Sequence, residues 1–107
     1  MSPTEVSPGQ IALRPVLAAL AEPHRADLVR LLVARQLRVR DMVAATGMAQ
    51  PLVSHHLKVL REAGLVESAP GSGSGVYRLR ADTLRAMAVR LTALAEQAAA
   101  TAADGAR

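Results

Sequence analysis

RDMVAATGMAQPLVSHHLKVLREAG, residues 40–64, is the stretch that decides the fold. A short helix from about Arg40 to Thr46 is closed by Gly47, which takes a left-handed backbone without the penalty a Cβ would bring. A second helix, Gln50 to Ala63, carries Val53, Leu57 and Leu60 on one side and stops at Gly64. Two short helices joined by a turn of about three residues have the spacing of a helix-turn-helix.

Upstream, Leu13, Val16, Leu17 and Leu20 recur at helical spacing and predict a first helix ending near Ala21. Pro23 then opens a second helix to about Arg35, with Leu28, Val29, Leu31 and Leu32 as its apolar face and Arg25, Asp27, Arg30 and Arg35 mostly toward water. Downstream, LVESA (65–69) and VYRLR (76–80) are β-prone runs joined by PGSGSG (70–75), which reads as a hairpin. A hairpin after a helix-turn-helix is a wing. Asp82 can cap a last helix in which Leu84, Met87, Leu91, Leu94 and Ala98 recur at spacings of three and four, a stripe that predicts dimerisation.

The fold class is therefore mainly α with a small β-hairpin, a winged helix-turn-helix in the order α-α-α-α-β-β-α. Residues 1–10, with Pro3, Pro8 and Gly9, read as a mobile arm, residues 11–100 as the folded domain, and residues 101–107 as a tail that frays.

The composition bounds the function. The 107 residues suit one domain and are too few for a multidomain enzyme. With no cysteine there is no disulfide, thiolate nucleophile or Cys-built zinc site. No apolar run reaches the ~18 residues of a membrane span, and the polar MSPTEVSPGQ start argues against secretion, so a cytoplasmic address is expected. The net charge is +4, and twelve of the thirteen cations are arginines, which suit bidentate contact with phosphate and guanine. Tyr77 is the only aromatic residue, whereas single-strand and RNA modules stack bases on several, so duplex DNA is the expected nucleic acid.

Four runs, VLAALAEPHRADLVRLL (16–32), QLRVRDM (36–42), GMAQPLVSHHLKVLREAGLVES (47–68) and GVYRL (75–79), together strongly resemble the ArsR/SmtB family of bacterial winged-helix repressors. The resemblance covers roughly residues 13–95. It implies a homodimer, joined through its first and last helices, on an operator with approximate two-fold symmetry.

Gln50, Ser54 and Lys58 share one stripe of the second helix of the pair, with His55 beside it and Arg61 further along. Gln50, Ser54 and His55 are assigned to base-edge or near-base contact, and by resemblance they match family contact positions. Lys58 and Arg61 suit phosphates. His56, on the side of Val53 and Leu60, reads as a partly buried structural histidine. In the wing, Arg78 and Arg80 alternate with Tyr77 and Leu79, so the arginines either reach phosphates or are simple surface charge while Tyr77 joins the core.

The resemblance also bears on control. Where many members carry a cysteine pair in the third-helix region, this chain has Arg38 and Arg40, and guanidinium groups do not ligate cations. The other common site needs histidines on the last helix, and none follows Asp82. His55 and His56 diverge by about 100° and cannot chelate one ion together. His24 is the remaining candidate ligand, with carboxylates or groups from a second subunit; its alternative is an exposed helix-start histidine. No cofactor is required, and the alternative is Ni(II) or Zn(II) on histidine and carboxylate ligands, with a nickel-responsive family member as the variant to test.

Two other classes of function find some footing in the sequence. A winged-helix module that needs a protein co-regulator is motivated by the missing sensor site and the bare GSGSG tip. Catalysis has only Ser54, His55 and Asp41 to offer, and neighbouring helical Ser and His side chains point apart.

Overall fold

A computed structural model of the chain describes residues 12–71 and 75–105. Helices α1 (Leu13–Ala21) and α2 (Pro23–Ala34) are followed by strand β1 (Leu37–Arg38), helices α3 (Val39–Thr46) and α4 (Gln50–Glu62), strands β2 (Val66–Ser68) and β3 (Val76–Leu79), and helix α5 (Ala81–Gly105). Mainly helical architecture, the helix-turn-helix and the wing all follow the sequence expectation. The arm at 1–10 and the hairpin tip at 72–74 lie outside the described residues.

Local signals explain the boundaries. Glu22 caps α2, its carboxylate accepting from the Arg25 N–H at 2.9 Å, and Pro23 needs no partner for a missing N–H at the first helical position. At α3 the Asp41 carboxylate accepts from the Arg38 N–H at 3.2 Å. Gly47 ends α3 at φ 74°. Gly64 ends α4 at φ 80°, where its N–H donates to the Arg61 carbonyl and the Leu65 N–H to the Leu60 carbonyl, both at 2.9 Å. These paired bonds satisfy carbonyls that the helix end would otherwise leave open.

Four expectations are corrected. The sheet has three antiparallel strands in the order β1-β3-β2, with Leu37 opposite Tyr77 and Glu67 opposite Arg78, rather than a two-stranded hairpin. Two residues of β1 are too few to show a period, and only β3 makes them a strand. Asp82 lies inside the first turn of α5 rather than capping it, and its carboxylate holds the Arg80 guanidinium at 2.8 Å. Arg25 turns inward: its Nε donates to the Ala19 carbonyl at 2.8 Å, so α2 is clasped to the end of α1. Finally, α5 continues through 101–105, part of the stretch read as a frayed tail. The alanines that deprive this segment of large apolar groups are also the strongest helix formers.

The core gathers around Leu28, Met42, Val53, Leu57, Leu60 and Leu65, each at most 2 % exposed. Val16 and Ala19 of α1, and Ala86 and Met87 of α5, seal its edge. Beyond Met87 the chain offers α5 little cover: Val89, Leu91 and Leu94 are 53 %, 43 % and 52 % exposed, and Leu17 on α1 is 43 % exposed. Among the described residues no helix is long and apolar enough to cross a membrane.

Candidate nucleic-acid interface

Helix α4 is amphipathic in a way that assigns its faces. Val53, Leu57 and Leu60 are buried to 2 % exposure or less, and they hold the helix against the core. Gln50, Ser54, His55, Lys58 and Arg61 are all exposed. The buried face therefore presents the polar stripe outward on a rigid support. The first turn of α4 contains no acidic residue, so no carboxylate competes for its partial positive end. Leu52, 38 % exposed on the same helix, is an apolar group that the reading of polar residues passed over. Asp41, the carboxylate that the sequence offers beside Ser54 and His55, is occupied as the acceptor at the start of α3.

The wing keeps the alternation expected of it but not open charge. Tyr77 and Leu79 pack against the core, and Arg78 and Arg80 share the other face. There the Arg78 guanidinium is held by Glu67 on the neighbouring strand, at 2.7 and 2.8 Å. Arg80 lies 3.8 Å from the same carboxylate and 2.8 Å from Asp82. The cross-strand pairing of Glu67 with Arg78 is the signal that locates this ion pair, and it is visible only once the register is known.

On the other flank of α4, His56 is buried as expected, at 6 % exposure. It meets the start of α2. His56 Nε2 lies 3.9 Å from Glu22 Oε2, and His24 Nδ1 lies 3.0 Å from Glu22 Oε1. The two imidazole rings are 5.6 Å apart. Burial holds His56 below the usual histidine range; Glu22 draws the other way, and Arg25 adds to the depression. For Glu22, burial pushes the carboxyl up, but the Arg25 N–H and the positive character of His56 and His24 bring it below the usual carboxylate range. His24, the candidate ligand, is thus joined to two groups that sequence reasoning did not connect with it, Glu22 and His56. His24 also lines an open cleft of about 650 Å³ with Asp27, Arg30, Thr46 and Met48.

Comparison with known proteins supplies the family. The pattern of the bacterial regulatory proteins of the arsR family matches residues 22–68. The HTH-type transcriptional repressor SmtB of Mycobacterium tuberculosis is 42% identical over 64 residues, which are 60% of this chain and 47% of that protein. The chain thus spans about half the length of such curated relatives. The crystal structure of the transcriptional repressor BigR from Xylella fastidiosa is similar at 32% identity and a TM-score of 0.59, over 75% of this chain and 83% of that one. The homodimeric winged helix-turn-helix DNA-binding domain of a possible ArsR-family regulator from Mycobacterium bovis, a solution structure, is similar at 29% identity and a TM-score of 0.62, over 79% and 80% of the two chains.

Proposed function

This chain belongs to the arsR family of bacterial regulatory proteins, and we propose that it acts as a homodimeric repressor binding an inverted-repeat operator in double-stranded DNA. The observation that carries the proposal is the exposed Gln50, Ser54 and Lys58 stripe on a helix whose opposite face is sealed in the core. Gln50 pairs with an adenine edge, Ser54 and His55 bond to bases or nearby phosphates, and Lys58 and Arg61 neutralise backbone charge. Arg78 plays a smaller part, because Glu67 already offsets its charge.

A dimer is favoured by exposed apolar side chains on the first and last helices, Leu17, Leu91 and Leu94 among them, and by the homodimeric state of the Mycobacterium bovis relative. Two-fold pairing sets the two recognition helices for successive major grooves about 34 Å apart. The test is a titration of the DNA upstream of the chain's own gene against a scrambled duplex at two salt concentrations. Preference for an inverted repeat is expected at both. Equal affinity for all duplexes at moderate salt overturns the proposal.

A further inference from the structure

The meeting of α2 and α4 contains an imidazole atom without a hydrogen-bond partner. His56 Nε2 is buried and bonds to nothing among the described residues, on a side chain only 7 % exposed. Buried polar atoms in folded chains are nearly always satisfied, so each exception calls for a reason, an absent ion among them. Here the atom faces the Glu22 carboxylate, and one donor atom from each of Glu22, His24 and His56 lies within 4.8 Å of the other two.

We infer that Glu22, His24 and His56 form a binding site for a divalent transition-metal ion of the Zn(II) class, with coordination left over for water. Two imidazoles and a carboxylate suit Zn(II), Ni(II) or Co(II), and a chain without cysteine does not offer the thiolates that soft ions prefer. Bonds of about 2.1 Å in a tetrahedral shell place donor atoms about 3.4 Å apart. His24 Nδ1 lies 3.0 Å from Glu22 Oε1, already inside that spacing, and His56 Nε2, at 3.9 Å from the other carboxylate oxygen, Oε2, closes by roughly half an ångström. His24, with 52% of its side chain exposed, has room to rotate onto the ion and opens the site to solvent.

Arg25 sets the terms of binding. Its NH1 approaches His56 Nδ1 at 3.4 Å, a contact that needs Nδ1 as the acceptor. An ion on Nε2 leaves the proton on Nδ1, so two donors would face each other and the guanidinium must let go. Arg25 is anchored elsewhere, on the Ala19 and Ala18 carbonyls of α1 at 2.8 and 3.4 Å, and release takes a turn of the guanidinium rather than loss of the clasp. The ion therefore competes with a tie between α1 and α4. If α4 is the recognition helix, the one point that rests on the function proposed above, ion binding shifts the setting of Ser54 and His55 on the DNA.

The experiment is a titration of Zn(II) into the full chain against a chromogenic chelator, with Co(II) absorption as a second readout and no DNA present. One ion per chain is expected, with ring signals of His24 and His56 shifting and that of His55 unmoved. His24→Ala, an exposed site, and Glu22→Gln, which keeps a capping oxygen, should each weaken binding by about ten-fold or more. His55→Ala should leave it unchanged. Arg25→Gln, which replaces the opposing donor with a group able to accept from Nδ1, should strengthen it. Absence of a bound ion, or affinity undiminished in His24→Ala, overturns the site. Absence of operator preference both with and without the ion would instead strike the function proposal and leave the site standing.

Discussion

The Thr83 hydroxyl donates to the Gly64 carbonyl at 2.7 Å, fastening the first turn of α5 to the turn that ends α4. Thr83 is 2% exposed, and the Arg80 N–H reinforces the joint by donating to the Leu65 carbonyl at 2.8 Å. The helix proposed to pair the subunits is thus coupled through a buried hydrogen bond to the helix proposed to read DNA. Thr83→Val keeps the shape and leaves the Gly64 carbonyl without this partner. Urea unfolding should show a loss of about 1 to 3 kcal/mol.

Gly64→Ala addresses the same turn from the backbone. A Cβ there would meet Thr83 Oγ1 at 3.8 Å, ordinary contact, so the cost lies in φ +80° rather than in crowding. Forcing an L-residue into that conformation should cost about 1 to 2 kcal/mol in the same measurement. A neutral result would mean that the turn relaxes to negative φ.

Gln50→Ala and Lys58→Ala should part company on DNA. The first should relax preference at one base position, at about 1 to 3 kcal/mol, while the second should weaken all duplexes alike and lower the salt slope by about one. Binding isotherms on operator and scrambled duplexes at several salt concentrations separate the two. Identical behaviour would end the division between base and phosphate contacts.

Glu67→Gln removes the charge that holds Arg78 at 2.7 Å. The freed guanidinium should strengthen binding to any duplex and steepen the salt slope by about one. An unchanged slope would mean that the wing stays clear of the backbone.

Leu91→Glu places a charge on the part of α5 that the single chain leaves open, where Leu91 is 43% exposed. The isolated subunit tolerates it, but a buried unpaired carboxylate at a subunit interface does not form cheaply. Light scattering should report a monomer, and a persistent dimer would place the interface elsewhere.

Acid should loosen the start of α5. Burial pushes the Asp82 carboxyl up, but the Arg80 guanidinium and the Thr83 N–H outweigh it and hold its pKa below the ordinary aspartate value of 3.8. A depressed folded pKa contributes stability that is present above about 3.8 and lost as pH falls through the folded value. Asp82→Asn should therefore be less stable than the parent near neutrality, with the gap closing below pH 3.8 in thermal melts. A gap independent of pH would show that the carboxylate's charge plays no part.

Much of the molecule is written in short stretches of chain. Periodicity and end signals lie within a few residues of where they act: Pro23 at the start of α2, Gly47 and Gly64 at φ 74° and 80°, Val53, Leu57 and Leu60 on one side of α4. That is why the helix-turn-helix, the polar stripe and the buried place of His56 were legible from the sequence, and why residues 40–64 alone pointed to the fold. The sequence by itself thus determined which helices form and which face of α4 is free. Tertiary structure alone decided what meets across the fold. β1 is a strand only because Leu37 lies opposite Tyr77, Arg78 is offset only because Glu67 lies opposite it, and Arg25 reaches His56 across 31 positions of sequence. Such contacts depend on the packing of α2 against α4 and on strand register, which no local pattern carries, and they arise when burial of the apolar faces brings distant side chains to one place.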